Sequence, residues 1–281
     1  AAQPMNTINF LLTAFTELLL KPFTSLPALV PLLFWSIIMG ILMALVFRYT
    51  SNQKALRATA DRTRGHLLAI KLFKEDLGVS FWCMVALLKA TGMRMLHSLP
   101  PAVVLFLPFV FILTQLALRY EFRPLAPGEA VVVELELSAS HWQAHQDVAI
   151  EAPQGVAVET PPLRDKAAHT VAWRIRPDTA LPTSLRWPLG DGGVKKALAV
   201  AADPARLRAV NVRRPGAGWI DRLLYPGEPG FGSNSIVRSI TIHHPKRTTP
   251  LFGVNIPWWA TFLIVSMVAA VLARPWLKVQ F

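Results

Sequence analysis

Apolar positions along this chain gather into long runs at 29–47, 102–118 and 252–273, the second containing Thr114 and Gln115. Wound as helices at about 1.5 Å per residue, runs of this length match the hydrocarbon thickness of a bilayer, so each predicts a transmembrane helix. The first is assigned 29–48 and closes on Arg48-Tyr49. The second, 101–119, begins at Pro100-Pro101 and stops at Arg119-Tyr120. The third, 252–273, is entered through Trp258-Trp259 and closed by Arg274 and Lys278, leaving 274–281 as a short tail. Basic and aromatic residues at such ends suit the headgroup level. Ser36 and Gly40, four apart in the first run, share a face on which small side chains permit close helix packing.

Ahead of these runs, Asn6, Asn9, Thr13, Thr16 and Glu17 recur at three- to four-residue spacing among Ile8, Leu11, Leu12, Phe15, Leu18 and Leu19. This pattern predicts an amphipathic helix lying in the outer membrane interface, with residues 1–28 forming that helix and a proline-stiffened linker. Between the first two runs the pattern weakens. Residues 51–76 read as a polar helix, Gly78 punctuates, and residues 80–99 read as an apolar helix broken by Lys89, Arg94 and His97. The segment 49–100 is therefore expected to be a helical hairpin whose second arm lies against the membrane. A spanning or re-entrant second arm would bury Lys89 and Arg94 at roughly 3 kcal/mol each.

From 124 to 214 the period changes to two. Alternation is clear at 131–137 and 171–176, with further strand-like runs at 148–151, 156–160, 185–187, 195–201 and 207–212, separated by Pro and Gly. Seven short strands in under a hundred residues predict an all-β immunoglobulin-like sandwich, here without the cysteine pair of antibody domains. Residues 215–250 read as a connector with Pro-Gly clusters, a segment 218–224 suited to the membrane surface, and an extended run at 235–244.

Composition supports the membrane class: 53% of the 281 residues are hydrophobic and only 16% charged, with a mean hydropathy of +0.39. Charge then orients the spans. Residues 48–101 carry nine Lys and Arg against three Asp and Glu, which predicts a cytoplasmic hairpin. The N-terminus and β-region then lie outside and the C-terminus inside, as in a bacterial inner-membrane protein with a periplasmic domain. The formal net charge of +12 is spread through the chain with no aromatic-interleaved platform, so no nucleic-acid partner is expected. The lone Cys83 excludes an internal disulfide, and no Asn-x-Ser/Thr acceptor occurs. The opening Ala1-Ala2-Gln3-Pro4 fits either a trimmed leader or an extension ahead of Met5.

Chemistry-bearing motifs are scarce. There is no His-Glu-x-x-His, phosphate loop, Gly-x-Ser-x-Gly or Cys-x-x-Cys, so no enzyme, cofactor or metal site is expected. His141 and His145 are four apart with no evident third ligand, and His243-His244 read as an exposed strand end. Cys83, in an apolar patch, reads as an inert hydrophobe.

The order of elements is more informative than any motif. An outside N-terminus, a first span at 29–48, a basic hairpin at 52–99 containing Met84, Met93 and Met95, a second span beginning at Pro100-Pro101, and a span at 252–273 together resemble the YidC-like insertase superfamily, especially its reduced three-span members. The resemblance covers the membrane part. It implies a polar, partly hydrated groove open to cytoplasm and lipid, with a basic residue of the first span attracting acidic client residues. Its counterpart here is Arg48, at the end of the span and not its middle. The implied lining is Ser36, Arg48, Thr114, Gln115 and Ser266, with Met39, Met43, Met84, Met93 and Met95 as an adaptable apolar surface or as ordinary packing. From its own residues, Gln115 reads either as a protein-facing amide or as a shallow group reaching the interface. Two functions follow as expectations. One is assistance to insertion, folding or assembly of client membrane proteins by a thinned polar path. The other is a non-catalytic accessory or scaffold subunit of a larger membrane complex, capped outside by the sandwich and packed through Ser36 and Gly40.

Overall fold

The computed structural model describes residues 3–23, 26–51, 53–72, 75, 77–180, 183–190, 192–250, 253–277 and 279. Four helices come first: α1 (Gln3–Leu20), α2 (Leu29–Thr50), α3 (Gln53–Leu72) and α4 (Leu77–Tyr120). A β-region follows, and α7 (Trp258–Leu277) completes the chain. Among the described residues three helices are long and apolar enough to cross a membrane: α2, the Leu99–Tyr120 part of α4, and α7. Only 28%, 24% and 17% of these windows is buried by protein, so most of each apolar surface is exposed.

The chain divides into two compact units, one of Ala1–Leu32 with Phe111–Trp259, the other of Leu33–Val110 with Ala260–Phe281. In the second unit α2 and α7 meet at Gly40, where an added methyl group would run into the Ser266 main chain. Phe109 of α4 packs on Phe262 of α7, ring centroids 6.3 Å apart.

The proline pair does not break the chain. α4 continues through Pro100, Pro101 and Pro108 without interruption, so the expected second arm of the hairpin and the second span are one helix of 44 residues. Proline removes one donor and crowds the preceding turn. Within a membrane helix, neighbouring groups and small local adjustments make up that loss. The part of α4 inside the second unit, residues 77–110, is alone about 51 Å long, well beyond a hydrocarbon core.

In the first unit the β-region has two antiparallel layers. One sheet has the path β2-β4-β1-β8-β7, with β3 also paired to β4. Its strands are β1 (Val131–Leu137), β2 (Val156–Val158), β3 (Leu163–Asp165), β4 (Thr170–Pro177), β7 (Arg213–Arg214) and β8 (Val237–Ile242). The other layer is the hairpin of β5 (Thr183–Trp187) and β6 (Val194–Leu198). Alternation of β1 puts Val131, Val133, Leu135 and Leu137 inside, joined by Trp173 from β4 and by Ile240 and Ile242 from β8. Trp187 of β5 meets Trp173 across the core, with ring centroids 6.1 Å apart.

Three expected features are placed differently. The extended run at 235–244 supplies β8, which pairs with β1 in the centre of the sheet, so the β-region runs beyond residue 214 and through most of the expected connector. Residues 207–212 form no strand. Leu207 and Val210 are buried, but the Val210 amide donates to the Leu118 carbonyl at 2.8 Å, capping the end of α4. Residues 148–151 contribute a single bridge, Glu151 to Arg186. Two short helices interrupt the strands, α5 (Trp142–His145) and α6 (Trp219–Leu224).

Candidate functional site

Helical spacing builds a groove in the second unit. Met39 and Met43 on α2 stand one turn apart. Ala102, Leu105, Phe106 and Phe109 repeat at three and four on α4. Phe262, Ser266, Met267 and Ala270 share a face of α7. These side chains line an open groove of about 570 Å³ whose walls are almost wholly apolar. Gly40 also lines it and lets α2 approach α7, while Ala102 and Ala270 supply little volume. Flexible thioethers among aromatic rings adapt to varied apolar shapes.

The expected polar lining is dispersed. Ser266 lines the groove, but its hydroxyl donates to the Leu263 carbonyl of its own helix at 3.0 Å. Ser36 has no exposed surface and is not among the lining residues. Arg48 is exposed near the end of α2, its guanidinium 5.9 Å from the Tyr49 ring centroid and about 18 Å along the helix from Ser36. Thr114 and Gln115 belong to the first unit, where the Thr114 hydroxyl donates to the Phe111 carbonyl at 2.9 Å. Of the five methionines, Met39 and Met43 are in the groove, whereas Met84, Met93 and Met95 are exposed on the first half of α4. Phe106, Phe109, Phe262 and Met267 escaped the sequence reading. Their signal was there, as large apolar residues three or four apart along α4 and beside Ser266 on α7.

Gln115 has a protein partner. Its Nε2 donates to the Thr13 hydroxyl at 3.2 Å, one turn from Asn9, whose Nδ2 donates to the Arg222 carbonyl of α6 at 2.9 Å. One turn further along α1, a Glu17 carboxylate oxygen lies 3.9 Å from the buried Arg119 guanidinium. Within the polar stripe of α1, Asn9 and Thr13 thus face protein, while Glu17 stays 63% exposed.

Among the described residues of the β-region, Lys196, Arg222 and His244 are buried basic groups. Lys196, with no exposed side-chain surface, donates to Glu228 at 2.6 Å and to the Asn211 carbonyl. Burial pushes its ammonium pKa down, and the Glu228 carboxylate opposes that shift. His244 is buried, not exposed as expected, and both ring nitrogens are enclosed by protein. Burial, then repulsion from Lys196, pushes its pKa down to about 4. Its neighbour His243 faces the other way, 3.1 Å from Glu134. On α5 and the turn before it, the rings of His141 and His145 have centroids 6.1 Å apart. Among the described residues no group of three or more His, Cys, Asp or Glu could hold a metal ion. No family model, curated protein or solved structure matches the chain.

Proposed function

We propose that this chain is an integral membrane protein that assists insertion, folding or assembly of other membrane proteins, working without catalysis. The observation that carries the reading is the methionine- and phenylalanine-lined groove between α2, α4 and α7. A transmembrane segment not yet packed in its own protein exposes varied apolar side chains, and an adaptable apolar groove gives it a temporary partner. The apolar lining favours shelter of such a segment over the polar path that the family resemblance implies.

The basic helix α3 and the exposed apolar first half of α4 would meet the client on the cytoplasmic side of a bacterial inner membrane. The β-region, read as an immunoglobulin-like sandwich, would stand in the periplasm. The accessory-subunit reading is second, because Gly40, the position best suited to packing on a neighbouring subunit, packs on Ser266 of the same chain.

The test is photo-crosslinking from Met43 and Met267 in intact membranes, with quantitative mass spectrometry of the captured proteins. Many substoichiometric membrane proteins, accompanied by ribosomal or translocation components, are the expected catch. One fixed partner set at constant ratio would sink the proposal in favour of the accessory subunit.

A further inference from the structure

Two neighbouring helices of the first unit are turned inside out. On α1, Asn9 and Thr13 point into protein, while Phe10, Leu11, Phe15 and Leu18 are 72%, 61%, 59% and 67% exposed. On α6, Arg222 is buried and donates to the carbonyls of Gly216 at 3.0 Å and Phe231 at 2.6 Å. Its neighbours Trp219, Ile220 and Leu224 are each more than half exposed. The hydrogen bond from Asn9 to the Arg222 carbonyl joins the two helices.

A helix on the surface of a water-soluble protein does the reverse, burying its apolar stripe and showing its polar one. Here Asn9, Thr13 and Arg222 meet protein partners, Glu17 stays 63% exposed beside Arg119, and large apolar side chains lie outside. That arrangement minimises cost where the surroundings are hydrocarbon. The patch is also held to the end of a candidate span. α1 is tied to the last turns of α4 through Thr13 to Gln115 and through Glu17 to Arg119.

We infer that α1 and α6 form a lipid-embedded shoulder on the final turns of α4, with the Phe10, Phe15, Leu18, Ile220 and Leu224 side chains among acyl chains. The occupant of this face is lipid hydrocarbon and not a second protein. Attachment to the end of a candidate span and the outward apolar faces of both helices carry that choice. The inference rests on the membrane reading of the spans and goes beyond it, because neither helix is long and apolar enough to count as one. α1 is therefore a membrane-immersed helix, fixed at its depth by Asn9 and Thr13, and not one lying at the headgroup surface.

Spin-label accessibility in the full chain tests this. Single cysteines replace Phe10, Phe15, Leu18 or Ile220 in a Cys83→Ala background, with Leu163→Cys on β3 and Val268→Cys on α7 as references. Each protein is reconstituted in vesicles of phosphatidylcholine and phosphatidylglycerol, and collision rates with oxygen and with a water-soluble nickel chelate are compared. All positions chosen on α1, α6 and β3 are exposed, so labelling spares the core. The expected result is the same several-fold excess of oxygen over nickel collisions at the α1 and α6 sites as at Val268, with the opposite ratio at Leu163. Nickel-dominated collisions on α1 and α6 beside oxygen-dominated ones at Val268 overturn the shoulder and leave the spans intact. Low collision rates with both reagents also overturn it, because they signify a protein partner. Nickel-dominated collisions at Val268 as well would overturn the membrane reading itself.

Discussion

Gly40 of α2 lies directly on the main chain of Ser266 in α7, with no room for a β-carbon between them. The obstacle is a backbone carbonyl and not the end of a mobile side chain, so any substitution forces the two helices apart. Gly40→Ala is expected to destabilise the second unit by about 1–3 kcal/mol. Gly65 in α3 and Gly92 in α4 have nothing within contact of an added methyl. Gly65→Ala and Gly92→Ala should instead stabilise by about 0.5–1 kcal/mol through better helix propensity. Unfolding titrations in mixed detergent micelles distinguish the opposite signs.

Lys196 and Glu228 form a buried pair that ties β6 to the loop around Pro229, with the second Glu228 oxygen accepting from the Ala197 amide at 3.1 Å. Removing the carboxylate leaves an ammonium in the core without its counter-charge. Glu228→Ala should cost about 3–5 kcal/mol. The double change Lys196→Met with Glu228→Gln should recover most of that loss, because the orphaned charge is gone. Thermal unfolding of the two variants in detergent, followed by near-ultraviolet circular dichroism of the buried tryptophans, measures the difference.

His244 makes stability depend on pH. Its folded-state pKa of about 4 is depressed from 6.5, so between these values the unfolded chain binds more protons than the folded one. Stability is therefore complete above about pH 6.5 and falls as pH drops toward 4, by about 3 kcal/mol at most from this group. The charges acting on the ring are Lys196, Glu129 and Arg123. Glu129, held below the ordinary carboxylate range chiefly by its hydrogen bond from Arg123, withdraws its own contribution only at still lower pH. A series of melting temperatures from pH 7 to pH 4 should slope for the natural chain and flatten for His244→Phe.

Gln115→Leu removes the partner of the Thr13 hydroxyl. Interhelical hydrogen bonds in membranes average about 0.6 kcal/mol and reach about 1.7. The expected loss is of that size, with α1 loosened ahead of the rest, so proteinase K should cut faster just after α1 than in the natural chain. Equal cutting rates would show that Gln115 does not hold α1.

What could be read from the sequence follows from how local each signal is. α2 and α7 were legible because their runs are apolar on every face, and β1 and β4 because alternation over seven or eight residues leaves no other period. β8 was legible as extended chain, but its place beside β1 depends on pairing across about a hundred residues, which no local pattern carries. Residues 207–212 read as a strand-like run, yet the backbone group they meet is the end of a helix. Pro100-Pro101 looked like a boundary because the rule for soluble helices was applied where membrane helices tolerate proline. The groove escaped because polar residues were sought as its lining, while its walls are the aromatic and thioether side chains that sequence reading assigns to packing. α1 was recognised by its period, but periodicity alone does not say which stripe faces protein.

The hydrogen bond from the Val210 amide to the Leu118 carbonyl bears on how this molecule can be divided. A fragment beginning after Tyr120 would keep the strands but lose the helix end that Val210 caps, leaving a buried amide without an acceptor. Leu207 and Val210, both inward-facing, would lose their seating with it. The natural cut is therefore earlier, inside the span. A water-soluble β-fragment that starts at residue 121 should show fast amide exchange along 207–212, while β1, β4 and β8 remain protected.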